Sequence, residues 1–285
     1  MRGNRTLSWR EILDLQGAII MNVADCVAVI TGGARGIGFV IAQSLAAAGA
    51  RVVLGDILPT ELEAAVNRIQ AAGGSAIGVL ADVRSDGDVA RLMDAAVERF
   101  GSINVVCANA GINRDGLLLT PNPETGRIAH VLSTEGFREV VEVNLLGTLA
   151  TVREAARRMA DEKWPGLLLV ISSIHKVGHP GQLGYSSTKA AVALWPKILV
   201  GEFHSCGITN IRAVGIAPGF VGTEALKNMD PSTLGNVLKD VHLRRLIEPE
   251  EIAFLIRHVI ENEAIDGTTI EVTAGATYGA WQRAR

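Results

Sequence analysis

Short runs of consecutive apolar residues alternate with amphipathic stretches from Cys26 almost to the C-terminus. The apolar runs cover residues 27–30, 52–54, 76–80, 105–107, 167–171, 211–216 and 269–272. Helical patterns follow over 36–48, 60–72, 86–100, 134–160 and 185–203. Strands without polar alternation must be covered on both faces, and intervening helices supply the cover. The pattern therefore predicts an α/β fold, a single doubly wound domain with a seven-stranded parallel sheet. No linker rich in Pro, Gly or Ser divides the chain, so one unit is expected over 22–285, preceded by an N-terminal extension over 1–21.

Composition narrows the class without naming it. With 285 residues and 48% of them apolar, a sizeable core can be buried. The 27 basic residues are balanced by 30 acidic ones, which argues against a nucleic-acid partner. No apolar run is long enough to span a membrane. Cys26, Cys107 and Cys206 are far apart, and with no C-x-x-C or H-E-x-x-H a metal site is not expected. Free thiols beside buried strands suit a reducing compartment, so a cytoplasmic location is expected. The first 21 residues leave two readings open. They form a short amphipathic helix around Trp9, Ile12 and Leu13, or they are translated upstream sequence with Met21 near the start of the fold.

The first strand runs into Thr31-Gly32-Gly33-Ala34-Arg35-Gly36-Ile37-Gly38, and a helix follows at once. Glycines there let a pyrophosphate approach the backbone, and the helix N-terminus offers N–H groups and a positive dipole end. Gly32, Arg35, Gly36, Ile37 and Gly38 are the candidate phosphate-side residues. Asp56 ends the second strand, 18 residues beyond Gly38. A carboxylate there accepts bonds from ribose hydroxyls and repels a 2′-phosphate, which favours NAD over NADP. Arg35 pulls the other way, since a basic side chain beside the loop can meet a phosphate.

At separated points the chain resembles the short-chain dehydrogenase/reductase family, in particular its 3-oxoacyl-carrier-protein reductase branch. Thr31-Gly32-x-x-x-Gly36-x-Gly38 is similar to that family's cofactor loop, and Asp82-Val83 resembles its adenine contact. Asn109-Ala110-Gly111 resembles the motif that steadies the central sheet. Pro218-Gly219 with Thr223 resembles the segment closing over the nicotinamide. Asn144, Ser173 and Tyr185-x-x-x-Lys189 resemble the catalytic set. The resemblance implies a Rossmann-type fold, cofactor contacts from Tyr185 and Lys189, and a homodimer or homotetramer through the two long helices.

Two departures stand out. Ser173 lies 12 residues before Tyr185, one fewer than is usual in the family, while Ser172 has the usual spacing. The position of the pair at the strand end favours Ser173, with one residue missing from Gly178-His179-Pro180-Gly181. The connection into the long helix is also extended by Thr120-Pro121-Asn122-Pro123-Glu124-Thr125-Gly126-Arg127, whose composition predicts a loop. It borders the substrate mouth or the subunit surface, or is solvated decoration.

Tyr185 and Lys189 are four apart in a helical stretch and share one face. A free phenol titrates near 10 and is a poor base at neutrality. A neighbouring ammonium favours phenolate, so Tyr185 can exchange a proton with an alcohol while hydride moves. Ser173 is expected to hold the substrate oxygen, and Asn144 a water linking Lys189 to solvent. His175 and His179 either line the pocket or are solvated loop residues, and Trp195 and Pro196 read as packing. The pocket should also draw on the loop after Asn109 and on residues 221–243, with Leu226, Met229, Leu234 and Val237. The expected reaction is hydride transfer between NAD(H) and a small-molecule secondary alcohol or ketone. The alternative is NADPH-dependent reduction of a 3-oxoacyl thioester, implied by the resemblance of Asn113-Arg114-Asp115-Gly116-Leu117-Leu118 to a stretch of 3-oxoacyl-carrier-protein reductases, with the extended loop and Asp56 counting against it.

Overall fold

The computed structural model describes residues 21–114 and 116–276. The expectations for residues 1–20 lie outside the described residues, as does Asp115 of the 113–118 stretch.

The strands are β1 (Val27–Thr31), β2 (Arg51–Asp56), β3 (Ser75–Leu80), β4 (Val105–Ala108), β5 (Leu119–Pro121), β6 (Ile128–Val131), β7 (Gly166–Ile171), β8 (Ile211–Pro218) and β9 (Thr268–Val272). Seven of them form one parallel sheet in the order β3-β2-β1-β4-β7-β8-β9. The chain winds outward from β1 in one direction and from β4 in the other, so the switch point lies between these neighbours. In such sheets ligands bind beyond the carboxyl ends of the strands at that point.

The helices are α1 (Gly36–Ala47), α2 (Pro59–Ala71), α3 (Asp86–Phe100), α4 (Thr134–Val141), α5 (Thr148–Asp161), α6 (Leu183–Ser205), α7 (Glu224–Lys227), α8 (Pro231–Leu238) and α9 (Pro249–Glu261). Successive strand residues point to opposite faces, and each face has its own core. Ala28, Ile30, Val105, Cys107, Leu167 and Leu169 pack with Ile41 and Leu45 of α1 and Ile252 and Ile256 of α9. Val27, Val29, Val106, Leu168 and Val170 pack with Leu92 and Met93 of α3 and Ala155 and Met159 of α5. The unbroken apolar strands are thus explained by burial on both sides.

Local chemistry sets the helix ends. The Ser85 hydroxyl accepts the Asp88 N–H at the start of α3, and Gly101 ends that helix at φ +86°, a conformation that costs glycine little. Helix α9 carries a capping box between Glu248 and Glu251 with Pro249 in its first turn. That helix is absent from the elements predicted above, although its cap and the spacing of Ile252, Ile256 and Val259 are its signature.

Two expectations are corrected. The predicted helix over 134–160 is interrupted by a π-helical turn at Glu142–Gly147, which separates α4 from α5. Of the segment 120–127, Thr120 and Pro121 belong to β5, which pairs antiparallel with β6, and 122–127 form the loop between them. Asn122 makes that turn by accepting the Glu124 and Thr125 N–H groups on its side-chain oxygen. Residues 221–243 contain the short helices α7 and α8. Pro196 lies within α6 and is buried, in keeping with a packing role.

Candidate active site

Glycine is required where β1 turns into α1. Gly32 and Gly36 sit at φ +64° and +56°, a region that penalises any side chain. A Cβ at Gly38 would collide with the Gly32 carbonyl oxygen and stand 2.5 Å from Asn109 Nδ2. Such a turn brings backbone, not side chains, to the mouth of α1, whose first N–H groups have no partner within the helix. That cradle fits a pyrophosphate. Arg35 is exposed at the N-cap and makes no capping bond.

Asp56 closes the far side of the cradle. Its Oδ2 accepts the Ala34 N–H at 3.0 Å, and its Oδ1 accepts the N–H groups of Ile57 and Leu58. Three donors hold this buried carboxylate against the glycine loop and fix where its charge lies. Asp82 and Val83 follow β3. The Asp82 carboxylate is paired with Arg84 at 2.6 Å, and hydrogen bonds from that guanidinium hold it below the usual range. Val83 is buried.

Across the switch point, Asn109 Nδ2 donates to the carbonyls of Thr31 and Gly32, both at 3.0 Å. The N–H groups of Asn109 and Ala110 donate to Thr31 Oγ1. Thr31 therefore welds the ends of β1 and β4 together, a role its place in the motif did not disclose. Gly111 lies where a Cβ would be 3.3 Å from Asn144 Oδ1 and 3.5 Å from Lys189 Nζ, so the two polar side chains flank this backbone.

Asn144 stands in the π-helical turn, fully buried. Both ends of its amide engage Ile112, with Oδ1 accepting the N–H and Nδ2 donating to the carbonyl, each at 2.8 Å. Its own carbonyl accepts the Thr148 hydroxyl. Single π turns recur at functional sites because the extra residue re-aims side chains.

Lys189 is 4% exposed. Its Nζ donates to the Ile171 carbonyl at 2.7 Å and lies 5.6 Å from the centre of the Tyr185 ring. Burial pulls the ammonium down to about 8. The neighbouring Cys107 thiol is pushed up to about 12 by its own burial and is neutral near pH 7. The two serines at the end of β7 differ in what their hydroxyls do. Ser172 Oγ donates to the Lys189 carbonyl at 2.7 Å, whereas Ser173 Oγ accepts the His175 N–H at 3.1 Å.

His175 is more than a solvated loop residue. It stacks on His179 with 4.6 Å between ring centres and meets Tyr185 and Phe220 edge-on at 6.2 and 5.8 Å. Its Nδ1 is hydrogen-bonded to Gln182 Oε1. Phe220 and Gln182 were not singled out from sequence. Nothing local marks them, since they meet His175 only when β8 and the start of α6 converge. Pro218 ends β8 and Gly219 follows it, its N–H donating to the Val272 carbonyl. Thr223 passes close to Gly36, its Cγ2 3.8 Å from where a Cβ there would be. The predicted residues at the ends of β1, β4, β7 and β8 lie at the carboxyl edge of the parallel sheet, while Asp82 and Val83 follow β3 and Arg35 is exposed at the start of α1. Among the described residues no group of His, Cys, Asp or Glu is arranged to hold a metal, and no helix is long and apolar enough to cross a membrane.

The chain is similar to known proteins along most of its length. A family model described as short chain dehydrogenase matches residues 26–233. A 3-oxoacyl-[acyl-carrier-protein] reductase of Synechocystis sp. is 34% identical, covering 87% of this chain and 96% of its own. The short-chain reductase protein NovJ of Streptomyces niveus is 34% identical over 88% and 94% of the two chains. The cis-4-hydroxycyclohexanecarboxylate dehydrogenase of Sinomonas cyclohexanicum is 32% identical over 89% and 97%. The glycine cradle at the switch point, the seven-stranded parallel sheet and these matches along most of the chain have one source: the protein belongs to the short-chain dehydrogenase family and is an NAD(P)-dependent oxidoreductase.

Proposed function

We propose that the protein exchanges hydride between NAD(H) and a secondary alcohol or ketone, with Tyr185 as the acid–base group. The observation that carries this reading is the buried Lys189 ammonium held by the Ile171 carbonyl beside the Tyr185 ring. With its value near 8, Lys189 is still mostly charged at neutrality, and an adjacent positive charge lowers the cost of phenolate. In the direction of reduction, Tyr185 gives its phenolic proton to the carbonyl oxygen and becomes phenolate. Oxidation reverses the step, the phenolate taking the alcohol proton. When bound, the nicotinamide supplies or accepts the hydride at the adjoining carbon.

Ser173 is the hydroxyl that holds the substrate oxygen, because Ser172 is committed to the Lys189 carbonyl. Asn144 positions the Gly111–Ile112 backbone beside Lys189. Gly32, Gly36, Ile37 and Gly38 cradle the pyrophosphate, and Asn109, Ala110 and Gly111 stabilise that cradle. Asp82 and Val83 would hold the adenine, and Pro218, Gly219 and Thr223 the nicotinamide. NAD is favoured because Asp56 is pinned at the glycine loop, where its charge opposes a 2′-phosphate.

A second reading, NADPH-dependent reduction of a 3-oxoacyl thioester, is supported by the name of the Synechocystis relative and by the exposed Arg35. Exposed Leu146, Leu149, Leu194 and Ile198 on and beside α5 and α6 support a homo-oligomer. The free buried thiols of Cys26 and Cys107 support a cytoplasmic location.

The test replaces Tyr185 with Phe and follows nicotinamide absorbance with a panel of ketones. The expected result is a fall in kcat of about a thousandfold, with NADH binding, read by fluorescence, within a few-fold of wild type. Undiminished turnover by Tyr185→Phe would remove the mechanism.

A further inference from the structure

The reaction just derived needs the hydroxyls of Ser173 and Tyr185 on one substrate oxygen. Twelve residues lie between one position and the other, so the end of β7 and the first turn of α6 must keep a fixed separation. The backbone between them is folded tightly. The Lys176 N–H donates to the Ser173 carbonyl and the Gln182 N–H to the His179 carbonyl, both at 3.1 Å. Such turns set the path of the chain but leave side chains a choice of rotamers.

His175 touches both ends of this segment. Its N–H donates to Ser173 Oγ at 3.1 Å, which occupies a lone pair of that hydroxyl and leaves its proton to be donated onward. Its imidazole Nδ1 is bonded to Gln182 Oε1. An amide oxygen only accepts, so Nδ1 carries the proton and the tautomer is set. Gln182 is the N-cap residue of α6, and its own carbonyl accepts the Ser186 N–H at 2.8 Å. The bond therefore fastens the imidazole to the turn that carries Tyr185. The Tyr185 ring meets the imidazole edge-on, with centres 6.2 Å apart and planes at 81°, a favoured geometry for aromatic pairs. His179 stacks on the same imidazole at 4.6 Å, and Phe220 meets it edge-on at 5.8 Å. A bonded nitrogen and three ring neighbours confine it.

We propose that His175 is a positioning residue: clamped by Gln182, it fixes the Tyr185 phenol relative to the Ser173 hydroxyl at the separation that one substrate oxygen requires. The inference rests on Tyr185 and Ser173 acting as proposed above, and it extends that reading to two residues that contribute no atom to the reaction. Misplacing a reacting group by about 1 Å costs on the order of a hundredfold in rate, so a brace of this kind acts on kcat and spares binding. The His175 N–H survives any change of side chain at that position. The expected loss therefore comes through Tyr185.

The test uses the full chain with NADH and a panel of methyl ketones and cyclohexanone. His175→Phe keeps a ring but has no donor for Gln182, and Gln182→Leu keeps the bulk but has no acceptor for His175. Both side chains are half-buried, and thermal melts verify folding. Turnover is expressed per bound NADH, counted by fluorescence, so that unfolded protein does not enter it.

Each variant should lose about tenfold in kcat, with KM for the ketone and Kd for NADH within about threefold of wild type. The double variant should be within about twofold of either single one, because both break the same bond. Hydrogen exchange without cofactor reads the brace apart from turnover, and the peptide over 173–177 should exchange about tenfold faster in Gln182→Leu. Unchanged kcat in either variant, losses that multiply in the double variant, or unchanged exchange overturns the proposal. Activity lost only in step with NADH sites also overturns it and leaves His175 a part of the fold alone. Tyr185→Phe separates the two readings. If it is inactive while His175→Phe is fully active, the brace falls and the reaction stands. If Tyr185→Phe is fully active, the reaction falls and takes this role with it.

Discussion

Replacing Lys189 with Met should raise stability while it abolishes most activity, an opposition of signs that a purely structural lysine would not produce. The side chain is 4% exposed, and burial holds its ammonium at about 8 against an ordinary 10.5. That drop corresponds to about 3 kcal/mol carried by the folded state whenever Lys189 is charged. Met has similar length and packs adaptably, so the substitution removes the penalty without opening a cavity. Against this, the Ile171 carbonyl loses its 2.7 Å donor, a loss of about 2 kcal/mol. The net expectation is a gain of about 1 kcal/mol near pH 7, or about 3 °C in Tm for a chain of this size.

The pH dependence carries the same sign. The fold favours neutral Lys189, so the stabilisation is complete above about 10.5 and is gone once pH has fallen through about 8. Wild-type stability should therefore gain a rising contribution between those values that Lys189→Met lacks. Thermal melts of both proteins at one fixed concentration, without cofactor and at several pH values, measure it. The turnover number should fall by a hundredfold or more, on the order expected for losing support of an acid–base group. A Tm several degrees below wild type at pH 7, or parallel stability profiles from pH 8 to 10.5, would refute the reasoning.

The serines at the end of β7 should separate cleanly. Ser172→Ala removes the hydroxyl that donates to the Lys189 carbonyl in addition to the helix's own bond and should lower stability by about 1 kcal/mol with kcat within a few-fold of wild type. Ser173→Ala should lower kcat by about a hundredfold while loss of the acceptor for the His175 N–H costs about 1 kcal/mol, and the opposite assignment of the kcat effects would exchange their roles. Changing Asp56 to Ser removes the charge from the ribose side of the cradle. The preference for NADH over NADPH in kcat/KM should fall at least about tenfold, and an unaltered preference would mean that Asp56 serves only the loop N–H groups it accepts.

How much of this was legible beforehand follows from the range of each interaction. The seven sheet strands could be read because each is a short apolar run, although burial on both faces accounts for the run only in β1, β2, β4, β7 and β8, while the edge strands β3 and β9 stay partly exposed. The glycine cradle could be read because a positive φ admits few residues, and the Tyr185–Lys189 pair because four residues make about one helical turn. The hairpin at 119–131 was harder. Its Pro and Asn content favours a loop, and only pairing across the turn decided otherwise. Helix α9 carries a local signature in its capping box, a weaker signal than the apolar runs of β8 and β9 on either side of it.

Sequence alone determined the sheet, the phosphate turn and the candidate proton-transfer pair, because these depend on local periodicity and on residues with few conformational options. The tertiary structure decided what depends on side chains meeting from distant segments. It committed the Ser172 hydroxyl to the Lys189 carbonyl, seated Asn144 in a π turn against Ile112, and set His175 between Tyr185 and Phe220. It also buried Lys189 deeply enough to lower its proton affinity. Desolvation is a property of everything packed around a group, and no spacing along the chain encodes it.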